Sequence, residues 1–256
     1  MIVEQDFAGR QYLGMREYQE DYYAFSDAAT DEKGEISSLL LAVADGMGGH
    51  NAGEYASMVA VEAFIDNYHQ LSGETPARFQ RALYAANRKM REEIQKQPTV
   101  LNGMGTTFVA VLIENNALHW ISVGDSPLLL YRRGELRRLN ADHSLAPLLR
   151  ARVLSGDLTI EQAASHPDRH TLRSAMLGDA IEMVDCSTEA LPLDRHDVVI
   201  CASDGLLSLT DEEVRSRMDI LSRLPAGEIA NGLLRSVFEM QLPRQDNATV
   251  AIVKMP

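Results

Sequence analysis

The stretch LLLAVADGMGGHNAGEYAS, Leu39 to Ser57, changes character twice within a short span, and both changes bear on the fold. Its first six residues are apolar without a break, too few for a helix of ordinary length, and read as a buried strand. Asp45 ends that run, and Gly46, Gly48, Gly49 and Gly53 leave the following backbone bare. Beyond the glycines, Ala56, Val59, Ala60, Ala63 and Phe64 recur at helical spacing. The local order is therefore strand, acidic glycine loop, amphipathic helix.

Working outward, the same apolar strand pattern returns at Thr107–Ile113, Ala117–Val123, Pro127–Arg132, Asp197–Ala202 and Ala248–Val253. ENNA at Glu114–Ala117 and RRGE at Arg132–Glu135 are tight-turn sequences, so the strands they join pair antiparallel. Helices are signalled by the stripe Phe79, Leu83, Ala86, Met90 and Ile94 behind Thr75-Pro76, and by Ile229, Ala230, Leu233, Leu234 and Val237 behind Pro225. Thr210 with Glu213 forms a capping-box pattern. Strand hairpins alternating with long helices point to an α+β layered sandwich. The hairpin-length connections between Thr107 and Leu139 weigh against a doubly wound α/β fold.

The chain has 256 residues, 45% of them hydrophobic, with no repeat, low-complexity tract or Pro/Gly/Ser linker; we expect one domain over residues 1–256. A formal net charge of −13 argues against a nucleic-acid or anionic-membrane surface and favours cations. Cys186 and Cys201 are too few for a disulfide framework and read as core thiols. The N-terminal MIVEQDFAGR is unlike a signal peptide, and no apolar run reaches the roughly 20 residues of a bilayer span. A cytoplasmic protein is the expectation.

Four aspartates repeat the opening pattern. Asp45 ends LLLAVA, Asp125 follows ALHWISVG, Asp204 follows DVVICAS, and Asp246 precedes NATVAIV. In an antiparallel sheet the end of one strand lies beside the start of its neighbour, so all four can share one rim. An Asp at a strand end is, taken singly, most often a turn former or helix cap. Four together repel one another, and a multivalent cation resolves the conflict. Oxygen donors without Cys or His at matching spacing suit Mg²⁺ or Mn²⁺ better than zinc.

Other chemistries fail on spacing. GMGGHNAG does not fit GxGxxG, and no GK[ST] follows it. GDSPL approaches the nucleophile elbow GxSxG, but Leu128 stands where the last glycine is needed. Six residues beyond Cys201 and Cys186 stand Leu207 and Pro192, so no cysteine-phosphatase loop is present, and HExxH does not occur.

REYQED, VADGMGGHNAGEYAS, NGMGTT, VGDS, ADHS, HPDRHTLRSAMLG, ASDGL and QDNATV occur in the order that resembles bacterial metal-dependent protein serine/threonine phosphatases of the protein phosphatase 2C type, from about Gly9 to Val253. The resemblance implies a four-layer α-β-β-α sandwich of two antiparallel sheets flanked by helix pairs, with two Mn²⁺ or Mg²⁺ ions at one edge and room for a third. It implies that Asp45 bridges both metals and that Gly46 lends a backbone carbonyl, a close approach that a Cβ would hinder. It makes Asp204 and Asp246 ligands of the first metal, Asp21 and Glu20 the acidic pair near the second, and Asp125 with Asp204 a weaker third site. Arg16 falls where the family receives the substrate phosphate. The implied reaction is hydrolysis of phosphoserine or phosphothreonine by water activated between the cations, in partnership with a kinase, by a monomer without nucleic-acid or membrane partners.

Three positions depart from the pattern: Met47 replaces the His that animal members carry after the DG pair, Gln19 the usual Asn, and Pro127 a common Arg. His50 does not take the missing role and reads as a loop residue. His143, His166 and His170 read as structural or flap-ordering, and a flap is expected at about Arg150–Leu177. A catalytically silent scaffold and a hydrolase of small phosphoesters are the competing readings.

Overall fold

The computed structural model describes residues 1–30, 36–48 and 51–256; Gly49 and His50 lie outside the described residues. In chain order the elements begin with β1 (Phe7–Tyr12), β2 (Asp21–Thr30) and β3 (Ile36–Met47), followed by α1 (Asn51–Gln70), α2 (Thr75–Lys96) and the short α3 (Pro98–Leu101). Strands β4 (Gly105–Thr106), β5 (Phe108–Glu114), β6 (Ala117–Val123), β7 (Leu128–Arg132) and β8 (Glu135–Arg138) come next. Then come α4 (Ala146–Leu154), α5 (Ile160–Ala164), β9 (Asp185–Cys186), β10 (Leu191–Pro192) and β11 (Val198–Ala202). The chain finishes with a 3₁₀ turn at Asp204–Ser208, α6 (Asp211–Leu221), α7 (Ala226–Glu239) and β12 (Ala248–Lys254).

One sheet has the order β1-β12-β11-β7-β8, the other β10-β6-β5-β3-β2, with β4 beside β3 and β9 beside β6. The strand pairings are antiparallel. Asn115 (φ 52°) and Asn116 (φ 56°) make the β5–β6 turn, and Arg133 (φ 54°) with Gly134 (φ 85°) the β7–β8 turn. Positive φ at both central residues matches strand twist in a two-residue hairpin.

The unbroken apolar run of β3 follows from burial on both faces. Successive strand side chains alternate between faces. Leu40, Ala42 and Ala44 pack beneath α1 and α2, while Leu39, Leu41 and Val43 face the other sheet, meeting Val199, Cys201, Ala251 and Val253. A third cluster seats α6 and α7 on the outer face of β11 and β12 through Val214, Met218, Ile229, Leu233 and Val237. The result is the four-layer α-β-β-α sandwich that the sequence leads one to expect.

Phe64 fixes α1 to β5, its ring centroid 4.8 Å from that of Phe108. Truncating such a buried ring to alanine costs about 3–5 kcal/mol. Thr210 and Glu213 form the expected capping box at the start of α6. Cys201 is buried as expected, whereas Cys186 is only half-buried, because β9 is a two-residue strand beside β6 at that sheet's margin. No helix among the described residues is long and apolar enough to cross a membrane.

Candidate metal centre

The alternation that sorts β3 between its two faces also places the carboxylates. After Leu39, Leu41 and Val43, the next residue of β3 aimed between the sheets is Asp45. On β2, Tyr23 and Phe25 point the same way; two positions before Tyr23 is Asp21, which pairs across the strands with Asp45. On β11 and β12 the same face continues from Cys201 to Ser203 and from Ala251 back to Thr249. The inter-sheet core thus turns polar at one end.

Asp21 is only 3% exposed. Its Oδ2 accepts hydrogen bonds from Ser203 Oγ and Thr249 Oγ1, both at 2.7 Å. Its Oδ1 is equally enclosed and has no hydrogen-bond partner. Burial lifts this carboxyl to about 7 against the pull of the two hydroxyls, with Asp204 and Asp246 adding to the rise.

Asp45 is pushed well above the ordinary carboxylate range by burial first and then by Asp21, Asp204, Asp246 and Asp125. Its backbone is pinned on β3: Thr107 N–H and Thr106 Oγ1 donate to its carbonyl at 2.9 and 2.8 Å. Asp204 opens the 3₁₀ turn after β11, hydrogen-bonds the Asp45 carboxyl, and is raised by burial and by Asp246. Five aspartates from separate segments therefore press on one another.

Gly46 has a reason to be glycine besides the one the resemblance implies. A Cβ there would run into the carbonyl oxygens of Gly53 and Glu20, so α1 could not begin as close to β3. Gly46 N–H donates to Glu20 O at 3.1 Å, and Ser57 Oγ donates to the same oxygen at 2.6 Å. The Glu20 side chain lies against Gly53.

Asp125 hangs from a turn in which Gly124 has φ +100°, a conformation open to glycine. His143 orders that turn as a structural residue: its N–H donates to Gly124 O at 3.0 Å, and its Nδ1 accepts from Gly124 N–H at 3.2 Å. Asp125 is 5% exposed, and burial followed by Asp204 raises it to about 7. His166, also read as flap-ordering, accepts the Asp168 N–H within its own loop at 3.2 Å.

His170, also read as structural or flap-ordering, lies at the acidic rim. Asp125, His170 and Asp204 each offer a ligand atom, and these atoms lie within 4.8 Å of one another. The Nε2 of His170 accepts from Arg169 Nε at 2.7 Å. His170 thereby brings a ring nitrogen to the rim of oxygens. It also lines a cavity of about 720 Å³ with Asp125, Arg138, Leu149 and Ile160.

Arg16 and Asp246 are brought together more closely than the sequence suggests. Arg16 Nη2 contacts Asp246 Oδ2 at 2.5 Å, while Asp246 Oδ1 accepts the Asn247 N–H at 2.8 Å. Asn247 itself is buried, accepting from Glu20 N–H at 2.8 Å and donating to Leu13 O at 2.7 Å, so it ties the Arg16 loop to the start of β12. Gln19 Oε1 accepts the Asp21 N–H at 3.1 Å.

The residues present fit divalent cations. A buried, unpartnered Asp21 oxygen and crowded carboxylates that hold protons toward neutrality are what a cation would satisfy. Hard oxygen donors at Asp21, Asp45, Asp204 and Asp246 suit Mg²⁺ or Mn²⁺, and an imidazole beside Asp125 favours the transition metal at that edge.

Residues 9–238 match the family model described as protein phosphatase 2C. The chain belongs to that family. Among protein phosphatase 2C relatives, the serine/threonine protein phosphatase PstP of Mycobacterium tuberculosis is 35% identical over 216 residues, covering 83% of this chain and 40% of the relative. The chain thus spans less than half the length of that mycobacterial protein. The solved serine/threonine phosphatase of S. agalactiae superposes with a TM-score of 0.80 at 25% identity, covering 98% of this chain and all of the other. A catalytic domain of PstP solved in complex with two manganese ions superposes with a TM-score of 0.74 at 27% identity, covering 98% of each.

Sequence reasoning missed Ser203, Thr249, Asn247 and the placement of His170. Strand alternation was a usable signal for the first two, since both continue inward-facing apolar series. Nothing local marks His170, whose position depends on how the flap folds back.

Proposed function

We propose that the chain hydrolyses phosphoserine and phosphothreonine in proteins with two Mn²⁺ or Mg²⁺ ions. The observation that carries this reading is the meeting of Asp21, Asp45, Asp125, Asp204 and Asp246 at one end of the inter-sheet core, with a buried Asp21 oxygen left without a donor. The names of the relatives and the manganese-bound neighbour support it.

In this reading Asp45 would be shared by the two ions, Gly46 would offer its carbonyl, and Asp21, Asp204 and Asp246 would help to hold them, with Glu20 beside Asp21. Asp125 and Asp204 hold a weaker third ion, and His170 joins them. Bound divalent ions lower the pKa of water and offset the charge of a transferring phosphoryl group. The chain's own residues do the rest. Arg16, now on Asp246, exchanges that carboxylate for phosphate oxygens and orients them with its planar fork. Ser203 and Thr249 fix the Asp21 carboxylate, and the hydrogen-bonded backbone of β3 fixes Asp45, so little reorganisation accompanies binding. A cytoplasmic monomer, made as a single domain with a flap near residues 150–177 and acting opposite a serine/threonine kinase, completes the reading.

The test is phosphate release from a phosphothreonine peptide by purified protein. We expect turnover with Mn²⁺, none with excess chelator, and loss of turnover in Asp204→Asn. Equal release by wild type and Asp204→Asn would refute the assignment.

A further inference from the structure

A cleft of about 820 Å³ opens among residues that follow Arg16 and Asp45 closely in the chain, within the roughly 300–1,000 Å³ of ordinary ligand pockets. Tyr18 forms one wall, two residues from Arg16 on the same loop. Tyr55 and Met58 of α1 form the second, and Val100 and Leu101 of α3 the third; Gly48, just past Asp45 and Gly46, opens it toward the rim.

Its walls are apolar yet fixed. Val100 is 64% exposed and Tyr18 45% exposed, but α3 is pinned from inside by Leu101 N–H to Gln97 O at 2.9 Å and Met104 N–H to Leu101 O at 3.1 Å. Tyr55 donates its hydroxyl to Glu93 at 3.1 Å. Glu93 stays ionised, held down to about 2 chiefly by Lys89 and Lys96, each at 2.8 Å. Exposed apolar side chains on a backbone held this way bind without further ordering.

The cleft also carries a sign. Among the described residues that line it, Glu54 is the one Asp, Glu, Lys or Arg. An acidic side chain entering here meets a like charge, whereas a lysine or arginine meets a partner.

Resting on the phosphatase reading above, we propose that this cleft is the flanking-residue subsite of the enzyme: it takes a large apolar side chain of the phosphoprotein, with a basic residue beside it, while Arg16 receives the phosphate. The occupant is a phosphorylated segment of another protein, because Tyr18 shares the loop of Arg16, Gly48 follows Asp45 and Gly46 on the same stretch, and the charge of Glu54 opposes a free anion.

The experiment measures kcat/KM with Mn²⁺ on phosphothreonine peptides that place Leu-Arg, Ala-Ala or Leu-Glu at each side of the phosphorylated residue, together with p-nitrophenyl phosphate. We expect the Leu-Arg peptide to exceed the Ala-Ala peptide by about tenfold on one side of the phosphothreonine, and Leu-Glu to fall below Leu-Arg. Val100→Ala and Tyr18→Ala, on opposite walls and both at exposed positions, should each bring the Leu-Arg to Ala-Ala ratio towards one, with the change in KM. Equal kcat/KM for all peptides while p-nitrophenyl phosphate is turned over would overturn the subsite and leave the phosphatase reading standing. So would variants that lower both peptides by the same factor. Turnover of no phosphoester by wild type would overturn both.

Discussion

Strand β11 carries an aspartate just outside each end, and the two are balanced in opposite ways. Asp197, before the strand, is 2% exposed and held by Arg132, whose Nε reaches both carboxylate oxygens at 2.9 and 3.0 Å and whose Nη2 reaches Oδ2 at 2.5 Å. The Asp194 N–H adds a further donor at 2.7 Å. Asp204, after the strand, faces Asp45, Asp246 and Asp125, and Arg16 lies against Asp246. Both carboxylates close the same inter-sheet core, one end with a matching arginine and the other with more acid. A buried carboxylate whose counter-charge is supplied by the chain serves the fold; one whose counter-charge is withheld is arranged for something that arrives from solution.

The strongest way to break that comparison is to remove the hub of the acidic end. Asp45→Ala is expected to lower Mn²⁺-dependent phosphate release by about a thousandfold, on the scale of losing a main electrostatic contributor, while circular dichroism shows a folded chain. Normal turnover would return Asp45 to the class of ordinary turn residues.

At the opposite end the expected damage is to stability. Arg132→Ala strands Asp197 as a buried, unpaired charge, and denaturant unfolding should show a loss of about 3 kcal/mol. Turnover per folded molecule should persist, which separates the two ends of β11 by assay as well as by position.

Thr249→Val sharpens the picture from the side, since it removes one of the two hydroxyls that hold Asp21. Losing an outer partner of a ligand typically weakens metal binding by about 10–100-fold, and the Mn²⁺ concentration for half-maximal activity should rise by that factor.

The smallest effect is a pH slope. Asp21 and Asp125 keep their protons to about pH 7 when folded and to about pH 4 when unfolded. Between those values the native state binds more protons, so the stability of the cation-free protein should fall as pH rises from about 4 to about 7. Urea midpoints in chelator at pH 5 and 7.5 check this, and millimolar Mn²⁺ should flatten the slope.

The two ends also differ in how far they could be read from the sequence. The core strands were legible because both faces of β3, β5, β11 and β12 are covered, which leaves unbroken apolar runs. The turns ENNA and RRGE were legible because two positive-φ residues in a row demand such sequences. FAGRQY and DYYAFSDAAT, the edge strands β1 and β2, were not singled out: each pairs on one side only, and mixed polar and aromatic residues suffice there. At the site, the aspartates were visible as a recurring strand-end pattern. The Arg16–Asp246 contact and the arrival of His170 were not, because each joins segments far apart in the chain through loops rather than through a ladder with fixed register.

The account rests on divalent cations replacing protons at the acidic end, and calorimetric titration of Mn²⁺ near pH 6.5 in buffers of different ionisation enthalpy tests this most directly. We expect saturable binding with net proton release, because carboxyls raised toward neutrality must ionise to become ligands, and weaker binding with less release in Asp45→Asn. Binding that releases no protons, or the same titration in Asp45→Asn as in the wild type, would contradict it.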